Sequence, residues 1–259
     1  MDRFSLSFRE AMTRLIVIAL SLMTFSAQAQ SVAELIADGD AMDARLKSEE
    51  ALAFYLKAEP LSKNDASLLI KIAKQYGESM TAIKDEEARR RAGEHALSYA
   101  QRAVKVAPRM ADAHLAVAIC YGRLLDLVPA KTRVEYSRLV KQGAEQAVKL
   151  DPRSDYAWHM LGRWHQAVAT MSGVTRTLVK IIYGGLPAAS LDEAVKCFQK
   201  AIELKADRVA HHIELGRTLA LAEKKTEARQ SLERGLALPN RERDDPETKV
   251  RGREALAEL

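Results

Sequence analysis

The most constraining feature of this sequence is that it repeats itself. The stretch "AVKVAPRMADAH" (103–114) is matched by "AVKLDPRSDYAW" (147–158), 44 residues further on, and by "AIELKADRVAHH" (201–212) after a further 54. Self-similarity at such spacings is typical of arrays in which each repeat is one helix pair and stacking buries a continuous core. The chain is rich in residues that favour helices and holds only 7 Pro and 12 Gly, which also favours an all-α fold.

The repeat unit resembles the tetratricopeptide repeat, a pair of antiparallel helices. That resemblance assigns packing roles to bulky, small and aromatic residues at set positions. Small residues let two helix backbones approach, and a bulky side chain of the neighbouring helix fills the space above them. The predicted packing residues are Gly39, Tyr76, Tyr121, Trp158, Leu161, Gly162, His165, Phe198, Leu215 and Gly216.

The spacing of these positions predicts an α-solenoid of about five helix hairpins. The repeats are expected at 32–65, 66–109, 110–153, 154–207 and 208–241, within a domain spanning 30–242, and 243–259 is expected to form a polar capping helix. Residues Gly216 and Ala228 stand 12 apart, whereas the corresponding spacings in the second and third repeats are 23 and 22. The surplus is about three turns, so helices of roughly 20 residues are expected there.

The fourth repeat carries an insertion, because Gly162 and Ala194 are separated by 32 residues. We expect an extra helix near Ser172–Ile182, followed by a loop that lies against one face of the stack. The two glycines and the proline of "YGGLPAAS" stop any helix. Ser190, with Glu193 three residues later, is a capping box that restarts it.

The combination of "LGRWH", "YGGLPAASLDEAVKCFQKAIEL" and "HHIELGRTLA" resembles the family called regulators of microtubule dynamics. The resemblance covers most of the chain after residue 29 and is sharpest over 144–239. It implies a helical-repeat fold and an adaptor-like role, and it brings no catalytic motif that could be transferred.

The N-terminal sequence has the features of a secretory signal. Three arginines precede the apolar run Leu15–Phe25, and "AQA" places alanines where signal peptidase requires small residues. We therefore expect 1–29 to be a signal peptide cleaved after Ala29, and the mature protein to be periplasmic or secreted. An uncleaved anchor is the alternative, although the run is short for a bilayer of about 30 Å. An exported bacterial protein meets no tubulin, so the microtubule connection does not carry over.

Charge and cysteine usage narrow the function classes further. A net charge of +5 is a small excess over 75 charged groups and does not by itself indicate binding to nucleic acid.

Cys120 and Cys197 are interpreted as small apolar packing residues, because the repeats place them more than one helix layer apart; a disulfide is the alternative.

No pattern in the sequence predicts an enzyme, a cofactor or a metal site. His159 and His165 are six residues apart, which sets them about 120° apart around a helix and prevents them from sharing an ion. Phosphate loops, Gly-x-Ser-x-Gly and His-Glu-x-x-His are all lacking. "HHIE" (211–214) offers acid–base groups, but His212 falls at the bulky packing position that Trp158 occupies.

A recurring set of polar positions on the first helix of each repeat predicts a binding groove. Cations follow the glycine position in several repeats, and guanidinium groups bind carboxylates in a bidentate manner. The predicted partner is an acidic or C-terminal peptide segment of another envelope protein. The predicted groove residues are Lys74, Arg123, Tyr156, His159, Arg163, Gln166 and Arg217. The alternative is that these cations pair with Asp or Glu of neighbouring helices, as exposed charges on helices commonly do.

Two rival functions remain at this point. The chain could be a structural subunit that docks through the insertion (171–189), whose run "LVKIIYGGLP" exceeds what its own core needs. It could also be a metal carrier or an enzyme that uses His159 and Arg163. The oligomeric state is left open.

Overall fold

The computed structural model describes residues 30–259, so the predicted signal peptide lies outside the described part of the chain. These residues form twelve α-helices and no strand, and the predicted all-α solenoid is confirmed. The helices are α1 Val32–Asp43, α2 Ser48–Ala58, α3 Ala66–Ser79, α4 Glu86–Val106, α5 Ala111–Leu124, α6 Ala130–Leu150, α7 Asp155–Ala169, α8 Gly173–Tyr183, α9 Leu191–Leu204, α10 Val209–Leu221, α11 Lys225–Ala237 and α12 Asp245–Ala257. Short 3₁₀ turns at Glu59–Leu61 and Leu125–Leu127 extend α2 and α5.

The helices pack in pairs, α1 with α2, α3 with α4, α5 with α6, α7 with α9 and α10 with α11, while α8 is an addition within the fourth expected repeat. The first helices of neighbouring pairs touch one another from the second repeat to the fifth. We call α1, α3, α5, α7 and α10 the inner helices and their surface the inner face. The buried core lies between these inner helices and the second helices of the pairs. Its residues are mostly alanine and leucine, which permits the close helix approach that the repeat needs.

Two of the second helices, α4 and α6, are 21 residues long, as the spacing in the second and third repeats predicts. The insertion forms helix α8, which begins after the N-cap Ser172. Ser190 caps α9, and its hydroxyl accepts the backbone N–H of Glu193. The local capping chemistry therefore sets where these elements begin.

One side-chain contact recurs at the start of three inner helices. The ring N–H of His114 donates to the carbonyl of Pro108, that of Trp158 to Pro152, and that of His212 to Ala206, each at 2.9 Å. In each case the acceptor lies six residues earlier, in the turn that ends the preceding repeat. The bulky position therefore ties the turn between repeats to the next inner helix, and histidine serves there because its ring N–H can replace that of tryptophan.

Glycine is required where an aromatic ring lies directly on an inner helix. A Cβ atom on Gly162 would lie 2.8 Å from Cε1 of Phe198, a side chain that is fully buried. No side chain fits that space unless the ring moves, so both residues occupy packing positions, with the bulky side chain of α9 lying over the small residue of α7.

The last helix, α12, covers the fifth repeat. It packs on α10 and α11, and Gly252 lies directly against the side chain of Ile213. In this way the polar C-terminal helix buries a surface that would otherwise face solvent. Across residues 30–259, none of the helices combines the length and apolar character that crossing a bilayer demands.

Candidate functional site

Two of the predicted groove cations are engaged by neighbouring groups. The Nζ of Lys74 lies 2.7 Å from a carboxylate oxygen of Asp43 and 3.6 Å from Glu78. Arg123 donates to the carbonyl of Gly77 at 2.9 Å and lies 3.8 Å from Asp244. At Lys74 and Arg123, therefore, the cations pair with groups of the protein itself, which is the alternative to a free binding groove.

His159 and Gln166 were expected to be exposed in the groove, and the structure corrects this expectation. His159 is 6% exposed and Gln166 is 8% exposed. The amide of Gln166 donates to the hydroxyl of Thr218 at 2.9 Å. Both side chains point toward α10, because their side of α7 packs against the next inner helix instead of facing solvent.

Tyr156 is partly buried and belongs to a contact with the C-terminal part of the chain. Its hydroxyl donates to Glu242 at 2.9 Å, and the guanidinium of Arg208 lies over its ring at 4.0 Å. Burial, together with the carboxylate of Glu242, raises the pKa of the tyrosine. The phenol therefore stays protonated and able to donate.

A chain of three polar side chains crosses the interface between α7 and α10. Nε2 of His211 lies 2.9 Å from Asp155, and its Nδ1 lies 3.0 Å from Nδ1 of His159. The arrangement requires His211 to donate to the carboxylate and to accept a hydrogen bond from His159. Burial is the main cause that lowers the pKa of each histidine. For Asp155 burial acts to raise the pKa, but the hydrogen bond from His211 and the charge of Arg208 together outweigh it, so the pKa of this carboxyl is lowered. Both rings are therefore neutral.

The remaining groove cations meet around one buried carboxylate. Glu214 on α10 is 1% exposed and accepts hydrogen bonds from Arg217 at 2.9 Å and from Arg163 at 3.3 Å. Arg251 on α12 lies 3.9 Å from the same carboxylate. The three guanidiniums come from three helices, and their side chains remain about one third to one half exposed. We call these four residues the arginine cluster.

A segment of the chain itself crosses the inner face. Residues 240–244, here called the crossing loop, form most of the connection between α11 and α12. Arg243 of this loop donates to the hydroxyl of Ser48 in the first repeat and lies 4.0 Å from Glu78. Asp244 faces Arg123, and Glu242 pairs with Arg208 at 3.2 Å. The loop therefore touches both ends of the array, and it, not the insertion, covers part of the inner face.

The crossing loop is organised by Asp245 at its end. One carboxylate oxygen of Asp245, which is buried, accepts the backbone N–H groups of Arg241 and Glu242, both at 2.7 Å. This arrangement fixes the backbone ahead of α12 and directs the side chain of Glu242 toward Tyr156.

The other predicted packing and metal candidates lie apart from these groups. His165 is half-buried against the edge of Trp164, and its Nδ1 has no hydrogen-bond partner. Within residues 30–259, no three His, Cys, Asp or Glu side chains come together as metal ligands would. Cys120 and Cys197 are buried and unpaired, and burial raises the pKa of their thiols to about 12 and about 11.

Three residues of the site were not predicted from the sequence. Glu214 was considered only as part of "HHIE", and neither Arg251 nor Glu242 was singled out. Glu214 is the one with a usable signal: it lies two residues before Gly216 and one helical turn before Arg217, so a pairing between them could have been inferred. The other two lie in different elements, and only the tertiary structure brings them to the site.

Comparison with known proteins identifies relatives along almost all of the described chain. A family model described as regulator of microtubule dynamics protein 1-3 matches residues 35–259. The mouse regulator of microtubule dynamics protein 1 is 26% identical over 174 residues, which are 67% of this chain and 56% of the mouse protein. The Caenorhabditis elegans protein of the same name is 26% identical over 47% of this chain and 54% of its own. The chain thus spans about half the length of these relatives.

Two solved structures are similar in fold. A thermophilic tetratricopeptide-repeat protein of Thermus thermophilus superposes with a TM-score of 0.62 at 16% identity, covering 88% of this chain and all of its own. PilF of Pseudomonas aeruginosa gives a TM-score of 0.52 at 16% identity, covering 88% and 87%. At these identities the likeness establishes the fold.

Proposed function

The chain belongs to the family of regulators of microtubule dynamics, and from this premise we propose that it is a non-enzymatic interaction scaffold. Its inner face binds an acidic or C-terminal segment of another protein, and the contact is made at the arginine cluster. The setting that we propose is the periplasm of a bacterium, as the N-terminal sequence predicts. Tubulin, which the names of the animal relatives invoke, is absent from that compartment.

The observation that carries the proposal is the imbalance of charge at Glu214. Three guanidiniums surround one carboxylate. Glu247 accepts from Arg251 at 3.2 Å and offsets part of the excess. A guanidinium has five N–H donors in a planar fork, so Arg163 and Arg217 retain donors for a second carboxylate. The cluster is thus suited to an additional anion.

The crossing loop supports the choice of an acidic segment. Its carboxylates, Glu242 and Asp244, already face cations of the inner face, namely Arg208 and Arg123. The inner face therefore accommodates a short, polar segment of polypeptide that carries carboxylates. A partner segment of the same chemistry fits the remaining exposed arginines.

The geometry favours binding over catalysis. The Asp155–His211–His159 chain has the order of a proton relay, but it ends against Phe198, whose ring lies 5.3 Å from that of His159. Its histidines are buried, and the side chain that follows His159 is the apolar ring of Phe198. This row of three side chains therefore does not end on a hydroxyl or thiol that it could activate. We assign it a structural role.

Peptide binding tests the proposal directly. The probe is a fluorescein-labelled peptide that ends in Asp-Glu-Glu with a free carboxylate, measured by anisotropy beside its C-terminally amidated copy. We expect the double variant R163Q/R217Q to bind at least about tenfold more weakly, because charge-assisted hydrogen bonds contribute roughly 1.5–3 kcal/mol each. The matched control is R90Q/R91Q, which loses the same charge from exposed i,i+4 pairs on α4. Equal affinity of both variants would rule out the arginine cluster as the binding site.

A further inference from the structure

Helix α8 of the insertion presents an uncovered apolar face. Val174, Leu178, Ile181 and Ile182 are 74%, 51%, 75% and 60% exposed. Their spacing of four, three and one residues places all four within about 100° of the helix circumference. Val179 and Tyr183 lie on the opposite side, where they are partly buried. The four aliphatic side chains thus form one stripe that the core does not use.

The helix is held in place at both ends, so this exposure is not that of a frayed segment. Arg176 donates to the carbonyls of Val168 and Ala169 at the end of α7, at 3.1 and 2.9 Å. At the other end Arg138 donates to the carbonyls of Tyr183 and Gly185. The loop that follows is anchored by Leu186 and Ala189, which pack on the core. The stripe is therefore displayed by a fixed element.

The surroundings of the stripe are cationic. No Asp or Glu occurs between Asp155 and Asp192, and the charged residues of α8 are Arg176 and Lys180. Arg138 adds a third cation beside the C-terminal end of α8. A surface with this character complements an anionic one.

The size of the stripe also disfavours a second copy of the chain as its occupant. An 11-residue helix is about 16 Å long and about 10 Å wide, so its contact footprint is on the order of 200 Å². A stable protein–protein interface needs about 800 Å² from each partner. A lipid surface has no such requirement, because each apolar side chain partitions into it separately.

From these observations we propose that α8 docks the protein on an anionic lipid bilayer. The helix lies in the plane of the interface, with Val174, Leu178, Ile181 and Ile182 among the acyl chains and Lys180, on the flank of the helix, extending toward the headgroups. Since one short amphipathic helix binds membranes weakly and reversibly, the contact depends on anionic lipid and weakens with salt. This inference is independent of the function proposed for the arginine cluster.

Vesicle co-sedimentation of the protein beginning at Gln30 tests the proposal. We expect binding to vesicles of phosphatidylcholine mixed with phosphatidylglycerol, and at least tenfold weaker binding to phosphatidylcholine alone. The variant I181S/I182S should lose most of the binding, and both positions are exposed, so its helicity should be unchanged. The control L61S/V250S removes two exposed aliphatic residues elsewhere and should bind like the wild type.

Two results would overturn the proposal. The first is that the wild-type protein ignores anionic vesicles or that I181S/I182S binds them equally well. The second is that the protein does not bind vesicles and analytical ultracentrifugation shows a dimer that the variant I181S/I182S dissociates. The stripe would then be a contact between two copies of the chain. The peptide affinity of I181S/I182S should equal that of the wild type in either case, which separates this test from that of the groove.

Discussion

His211 and His159 face each other across the interface of α7 and α10, with their Nδ1 atoms 3.0 Å apart. Only one of the two nitrogens can carry the shared proton, and the carboxylate of Asp155 determines which, because it accepts from the far side of His211. This buried pair joins the fourth repeat to the fifth. A proton added to Nδ1 of His211 would place two donors against each other, so the contact is sensitive to acid.

Stability should therefore fall below pH 6.5. Burial lowers the pKa of both histidines in the folded state, whereas in the unfolded chain they titrate near 6.5. Between these values the unfolded state binds more protons, so the free energy of unfolding decreases as the pH falls. We expect H159Q to lessen this decrease by about 1 kcal/mol between pH 7.5 and 5.5, measured by denaturant unfolding. H95Q, at an exposed position, is the control, and identical pH profiles for H159Q and wild type would contradict the assignment.

Adding a methyl group at Gly162 should destabilise the protein. The new Cβ would lie 2.8 Å from the Phe198 ring, and overpacking of this kind costs about 1–3 kcal/mol. Thermal unfolding of G162A should show a lower Tm, with helicity retained at low temperature. Gly173, at the first position of α8, has no heavy atom within 4 Å of the corresponding Cβ, so G173A should be neutral or stabilising. Equal Tm values for the two variants would show that the ring has room to move.

Replacing Glu214 should separate the stability of the arginine cluster from its binding capacity. E214Q removes the carboxylate that occupies the three guanidiniums, and we expect a loss of about 1–3 kcal/mol in unfolding free energy. The same change should strengthen binding of the acidic peptide several-fold, the opposite of R163Q/R217Q. E233Q, at an exposed position, controls for the change in net charge. If E214Q weakened peptide binding, the carboxylate of Glu214 and the carboxylates of the peptide would not be competing for the same arginines.

Loosening the crossing loop should expose it to protease. E242Q removes the ion pair with Arg208 and weakens the contact with Tyr156. We expect trypsin to cleave after Arg241 and Arg243 several-fold faster in E242Q than in the wild type, as identified by mass spectrometry of the fragments. The exposed Glu254 on α12 provides the control E254Q, whose cleavage rate should match the wild type. Unchanged cleavage in E242Q would mean that Asp245 alone holds the loop.

Export predicts a defined N-terminus for the mature protein. After expression in a bacterium, osmotic shock should release a protein whose intact mass corresponds to a chain beginning at Gln30. A bulky residue at the −1 position blocks signal peptidase, so A29F should accumulate as a membrane-associated precursor. Recovery of full-length wild-type protein from the cytoplasm would contradict the predicted location.

The features that the sequence determined by itself are those with local causes. Helix pairs follow from the recurring small and bulky positions, the 21-residue helices follow from the spacing of those positions, and α8 begins and ends where Ser172 and the glycines of "YGGLP" require. Gly162 and Phe198 were both predicted as packing positions, because the repeat places small and bulky residues where neighbouring helices meet. Such features depend on a few adjacent residues and on a common repeat period.

Only the tertiary structure decided which polar groups meet. His159 is buried although its position in the repeat predicted exposure, because that side of α7 packs against His211 on α10. Glu214 and Arg251 come together only when α12 folds back on the fifth repeat, and the contact of the crossing loop with Ser48 joins residues 195 positions apart in the sequence. Such contacts join residues that are far apart in the sequence, so no local pattern encodes them.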